Sequence, residues 1–206
     1  MSGCECEFEI KNKEQSKVLK QLLVINAVMF FIEIILGVIA ESTALIADSL
    51  DMLADAAVYG IGLYAVGRSQ LAKNHAAKMS GVLQISLGLI VIIDVLRRYF
   101  FGSEPDSVLM IVVGGIALVA NLICLKLLSR HRDGEVHMRA SWIFSKNDVV
   151  ANIGIILSGV IVFWSQLAIA DLIIGLIISL VVIRGGYDIL QDVRQEKKSC
   201  SSGDIN

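Results

Sequence analysis

The chain has 206 residues, of which 55% are hydrophobic and only one is proline, and its mean hydropathy is +0.71. That is too apolar for an ordinary water-soluble domain and marks an integral membrane protein. The formal charge of -2 comes without any basic run, which excludes nucleic acid as a class of partner.

Residues 1–17 read MSGCECEFEIKNKEQSK. They lack the apolar core and small-residue cleavage site of a signal peptide, so they are expected to stay on the mature protein as a cytoplasmic tail. Cys4 and Cys6, set among Glu5, Glu7 and Glu9, offer two thiols to a zinc-like ion. That is half of an accessory metal site, and a solvated acidic tail explains the same residues. The remaining cysteines, Cys124 inside an apolar stretch and Cys200 near the other end, imply no disulfide framework.

Six apolar segments follow, at residues 18–40, 44–66, 79–99, 107–128, 142–164 and 167–188. Each is long enough for a hydrocarbon core of about 30 Å. None shows the alternating ten-residue pattern of a membrane strand, and a backbone in lipid must satisfy its own hydrogen bonds, so the segments are helices. The predicted fold is all-α: a six-transmembrane-helix bundle forming one domain over 18–188, with residues 189–206 as a short cytoplasmic tail. With both termini in the cytoplasm, Arg97 and Arg98 are the only two of the 18 Lys and Arg residues left on the outer side, as the positive-inside rule requires.

In the first segment Asn26 and Glu33 are seven residues apart and share a face. Glu33 suits a role in hydrating a cation path or relaying protons, although a hydrogen-bonded buried acid accounts for it equally. The second segment carries Asp48, Asp51 and Asp55. At helical periodicity these project at about 0°, 300° and 340°, so all three line one stripe. Their depths would be about 6, 10 and 16 Å from the start of the segment. A lone aspartate at mid-bilayer costs about 2.5 to 3.5 kcal/mol, so capping can explain Asp48 but not Asp55. The basic residues that sit near enough for a salt bridge reduce to Lys146 and Lys126. A mobile cation is the better partner, because acids at i and i+4 on successive turns can converge on one divalent ion or accept protons in its place.

The third segment ends near Asp94, and the fourth contains Asn121. The fifth, within SWIFSKNDVVANIG, places Asp148 and Asn152 four apart on a face shared with Phe144. A carboxylate and an amide oxygen at the depth of the second-segment acids complete an oxygen-rich cage of Asp51, Asp55, Asp148 and Asn152. For Asn152 an interhelical hydrogen bond is the competing explanation. The spacings Gly154 with Ser158 and Gly175 with Ser179 suit close helix packing. Asp171 suits the N-terminal dipole of the sixth helix.

The order of the six helices, ADSLDMLADA in the second, RASWIFSKNDVVANIG in the fifth and ADLIIGLIIS opening the sixth together resemble the cation diffusion facilitator family. The likeness covers residues 18–190. It implies a six-helix exporter of divalent transition metals by proton antiport. The implied site joins a second-helix pair, Asp51 and Asp55, to a fifth-helix pair of which Asp148 is one member, with Asp48 a turn outside at the entrance. Where the family usually has His or Asp, this chain has Phe144, which cannot bind a metal and leaves Asn152 as the substitute. The loop SRHRDGEVHMR holds His131 and His137 but is not histidine-rich. The family's cytoplasmic C-terminal domain is not expected here, so a homodimer would rest on the transmembrane helices.

The reading is a non-enzymatic, multi-pass cation efflux transporter in a lipid bilayer, exchanging metal for protons by alternating access. No cofactor is expected apart from the transported ion. The family prior puts Zn2+ first, ahead of Co2+, Cd2+, Fe2+ and Mn2+, and an all-oxygen site suits borderline and harder ions rather than Cu+. Two other classes compete with this one. A non-transporting metal-binding or regulatory membrane partner fits the loss of a ligand at Phe144. An aspartate-dependent membrane phosphotransferase fits poorly, since it needs Gly directly after its second Asp, where Met52 follows Asp51.

Overall fold

The computed structural model describes residues 2–65, 70–129 and 136–203. The side chains of Cys4, Cys6, His137 and Phe144, and the whole of His131, lie outside the described residues. Six helices make up the described chain: α1 (Ser2–Ile39), α2 (Thr43–Ala65), α3 (Gln70–Phe101), α4 (Ser107–Ser129), α5 (Val136–Ser165) and α6 (Ile169–Gly203).

Five of these, all but α2, carry stretches long and apolar enough to cross a membrane. Large apolar side chains stand exposed along them, among them Phe31 and Ile35 on α1, Ile93 on α3, Val119 on α4, Leu157 on α5 and Ile177 on α6. In lipid these outward faces need no further cover. Helix α2 is the exception for a physical reason. Its three aspartates break the apolar run, but α2 touches all five other helices, and no described residue from 43 to 61 is exposed. A charged helix is tolerated at membrane depth when protein, rather than lipid, surrounds it.

Several helices run further than hydropathy suggested. Residues 2–17 continue α1, residues 70–78 extend α3, residues 136–141 extend α5, and α6 carries on to Gly203. All four extensions lie at one end of the bundle. Polar helix formers in water do not stop a helix, so hydropathy sees only where the membrane ends. The single proline, Pro105, sits in the short connection between α3 and α4, where a missing N–H does no harm.

Two kinds of contact hold the bundle. Between α3 and α6 the backbones meet: a Cβ on Gly81 would lie 2.8 Å from the Gly186 carbonyl oxygen, and one on Gly186 would lie 2.7 Å from that of Gly81. Gly88, two turns along, faces Ile183 and the carbonyl of Ser179 as closely. Around α2 the contacts are apolar layers interrupted by polar groups. Ala44, Leu45 and Ala47 join Met110, Ile155 and Ile178 in the largest cluster, while Met29, Met52 and Ala117 form a smaller one.

The outer turn between α1 and α2 is gripped from several sides. Glu41 adopts a positive φ of 49°, and its carbonyl accepts a hydrogen bond from the buried Arg98 on α3. The Asp106 N–H donates to the Ala40 carbonyl at 2.8 Å. Ser42 caps α2, its Oγ accepting from the Leu45 N–H at 3.2 Å. Asp171 proves to serve α2 as well as opening its own helix. Its carboxylate accepts from Ser42 Oγ at 2.5 Å and from the N–H groups of Thr43 at 2.6 Å and Ala44 at 3.2 Å. One turn on, Gly175 lets α6 reach that same point, since a Cβ there would lie 2.8 Å from Thr43. The start of the acid-bearing helix is thus held by its sixth-helix neighbour.

Candidate cation site

Helical periodicity turns Asp48, Asp51 and Asp55 toward the interior of the bundle, and α5 brings Asp148 and Asn152 to meet them. Asp48, Asp55, Asp148 and Asn152 are buried, and Asp51 is half-buried. Asp51 and Asp148 are neighbours across the α2–α5 contact. Asp148 also has Asp55 and Asp48 among its charged neighbours. Asp55 accepts a 3.0 Å hydrogen bond from the Tyr59 hydroxyl one turn further on.

Neither proposed lysine reaches these acids. Lys126 and Lys146 are exposed, and the Lys146 ammonium lies 5.9 Å from the centre of the Trp142 ring. Among the described residues no ion pair joins this cluster to a lysine or arginine; Arg97 and Arg98 instead pair with Asp94. Carboxylates this close, without a fixed cation, require a mobile one or protons.

Asn152 occupies a different place from the one its spacing suggested. Its Nδ2 donates to Asp48 Oδ2 at 2.6 Å, and its Oδ1 accepts from Asn121 Nδ2 at 2.9 Å. The chemistry enforces that direction, because a carboxylate only accepts and the amide must therefore offer it the nitrogen. The one atom of Asn152 able to ligate a metal is thereby turned to α4. Asp48 is held at the edge of the cluster, with Glu33 of α1 as a neighbour. Asn26 does not join them: its Nδ2 donates to the Leu22 carbonyl at 2.9 Å and contacts Cys124 Sγ at 3.8 Å.

Among the described residues, no three Asp, Glu, His or Cys side chains close round a single ion. What is gathered is a set of interior carboxyls from α2 and α5. Three features escaped sequence reasoning. Tyr59, four residues after Asp55, had a readable signal in its spacing. The Asn121–Asn152 bond and the Glu33–Asp48 contact had none, since they join residues from different helices.

A buried carboxylate cluster inside a helical bundle with apolar outward surfaces defines a class: an integral membrane protein with an acidic interior. The family described as cation efflux transmembrane domain matches residues 19–196. The chain belongs to that family and is an integral, multi-pass membrane protein. It is 24% identical over 191 residues to the cadmium, cobalt and zinc/H(+)-K(+) antiporter of Bacillus subtilis, covering 84% of this chain and 61% of that protein. It is 23% identical over 181 residues to the zinc transporter ZitB of Escherichia coli, covering 82% and 58%. To the metal cation efflux system protein CzcD of Cupriavidus metallidurans it is 23% identical over 177 residues, covering 80% and 56%. The chain therefore spans about three fifths of these relatives' length.

Proposed function

We propose that this protein carries divalent transition-metal cations out of the cytoplasm, Zn2+ first, in exchange for protons. The observation that supports this most is the convergence of Asp51, Asp55 and Asp148 from α2 and α5 in the interior of the bundle, with no lysine or arginine to neutralise them among the described residues. The family membership and the metals named for the relatives point the same way. In this reading the three carboxylates ligate the ion and Asn152 positions Asp48 without touching the metal. Protons arriving from the outer side displace the cation, because a carboxylate must lose its proton to bind. A homodimer joined through transmembrane helices belongs to the same reading, and cross-linking in the bilayer tests it.

Flux of Zn2+ into proteoliposomes is the test. Asp55→Ala and Asp148→Ala are expected to abolish it while leaving the protein inserted and helical; transport at the parent rate by either variant would remove the site. The second reading, a non-transporting metal-binding or regulatory partner, is favoured by one observation, the lack of a closed three-ligand cluster among the described residues. Metal-dependent flux by the purified chain alone separates the two.

A further inference from the structure

Ser145 on α5 is fully buried, and its hydroxyl has no hydrogen-bond partner among the described residues. A helical serine commonly returns its hydroxyl to a carbonyl three or four residues back. Ser49, Ser86, Ser129, Ser165 and Ser179 all do so, at 2.7 to 2.9 Å. Ser145 has the same option and does not take it, which leaves one donor and two lone pairs uncommitted inside the bundle.

The register of α2 against α5 fixes what the hydroxyl faces. The two helices run antiparallel: Leu45 and Ile155 share one apolar cluster, Asn152 bonds Asp48 at 2.6 Å, and Tyr59 shares a second cluster with Trp142. Asp55 lies seven residues beyond Asp48 on α2, and Ser145 lies seven residues before Asn152 on α5. Each step is a rise of about 10 Å and comes within about 20° of two full turns. Ser145 is therefore set opposite Asp55 as Asn152 is set opposite Asp48, at matching depth and on the same faces. The other unpartnered buried oxygens of α2 and α5 among the described residues are Thr43 Oγ1, Asp48 Oδ1 and Ser158 Oγ. Asp48, the nearest of these in depth to Asp55, is those same two turns away.

We infer that Ser145 Oγ is the fourth oxygen of the cation site, completing the set begun by Asp51, Asp55 and Asp148. This rests on the metal reading proposed above and deepens it. Three carboxylates leave a four-coordinate divalent ion one ligand short. Asn152 does not fill the place, because its oxygen is held by Asn121, and Phe144 has no donor atom in its side chain. A serine hydroxyl fills it with a lone pair, keeps its hydrogen and adds no charge. A neutral oxygen there, in place of an imidazole nitrogen, moves the preference of the site toward the harder of the divalent transition metals.

The test uses the full chain in lipid with Co2+ as the probe metal. Two signals are read: the visible ligand-field absorption of bound Co2+, and the near-ultraviolet charge-transfer band that a thiolate on cobalt adds. Ser145→Cys changes the size little and is expected to gain such a band over the parent, then to lose the gain when Asp55→Ala is added. Ser145→Ala is expected to weaken Co2+ binding by about tenfold with the thermal midpoint unchanged, whereas a serine that only packs would leave the affinity alone. The inference falls if Ser145→Cys binds Co2+ with the parent's spectrum, or if its added band survives Asp55→Ala. It falls equally if Ser145→Ala keeps the parent's affinity. In each of these cases the parent's own Co2+ absorption leaves the three-carboxylate reading standing. A parent with no Co2+ absorption overturns that reading and takes the inference with it.

Discussion

Along the α3–α6 seam two backbones touch, whereas around α2 side chains with unsatisfied oxygens keep the helices company. The seam is made of Gly81, Gly88 and Gly186 set against carbonyls and Ile183, a contact in which dispersion and close fit supply the stability. The α2 surroundings contain Glu33, Asp48, Asp51, Asp55, Asp148, Asn121 and Asn152, groups that each weaken a membrane bundle unless something pairs with them. The difference separates what holds the protein together from what it does. The seam needs no ligand, while the α2 face is incomplete without a cation or a proton.

That contrast can be broken first at the seam. Gly186→Leu would drive a branched side chain into the α3 backbone, where even a Cβ finds 2.7 Å. Overpacking of this kind costs about 1–3 kcal/mol or more. The expected result is a large fall in the thermal midpoint of the detergent-solubilised protein, with Zn2+ affinity unchanged in whatever remains folded. An equal loss of affinity would show that seam and site are one unit.

The second test is the joint between the two regions. Asp171→Ala strips the acceptor from Ser42, Thr43 and Ala44 at the start of α2, and losing a helix cap costs about 0.5–2 kcal/mol. Stability is expected to drop by that order in chemical denaturation, and Asp171→Asn, which keeps one acceptor oxygen, should recover part of it.

Effects on affinity rather than on stability sharpen the α2 side. Tyr59→Phe removes the donor to Asp55, and a hydrogen bond to a charged group contributes about 1.5–3 kcal/mol. Without that donor the protonated carboxyl is favoured, so protons compete better with the metal. Zn2+ binding by calorimetry is therefore expected to weaken by about tenfold or more near neutrality, more at lower pH and less at higher pH. In the parent, apparent affinity should likewise fall as pH falls, because each ligand must be deprotonated. The smallest effect belongs to Asn121→Ala. It leaves Asn152 Oδ1 without its donor, which costs about 1 kcal/mol, and a change in affinity beyond about tenfold would move Asn152 back into contact with the ion.

Much of this was readable from the chain alone. Six apolar runs gave six helices because hydropathy reports the solvent around a segment. The stripe of Asp48, Asp51 and Asp55 followed from helical periodicity, as did the pairing of Asp148 with Asn152. Helix ends were misplaced at one end of the bundle, since AKNHAAK before Met79 and residues 189–203 are largely polar yet remain helical. The role of Asn152 could not be read, because a four-residue spacing does not say that Asn121, on another helix, claims its oxygen. The reach of Asp171 back to Ser42, across 129 positions, and the approach of Glu33 to Asp48 were invisible for the same reason. Local periodicity fixes which side a residue faces, and only tertiary packing decides what it meets there.

The central claim is that Asp51, Asp55 and Asp148 together carry the metal. The most direct measurement is Zn2+ flux by the purified chain in proteoliposomes under an imposed proton gradient, comparing the parent with Asp51→Ala, Asp55→Ala and Asp148→Ala. Proton-driven flux in the parent and its loss in all three variants is the predicted result. Parent-level flux in any one of them, or none in the parent, would contradict it.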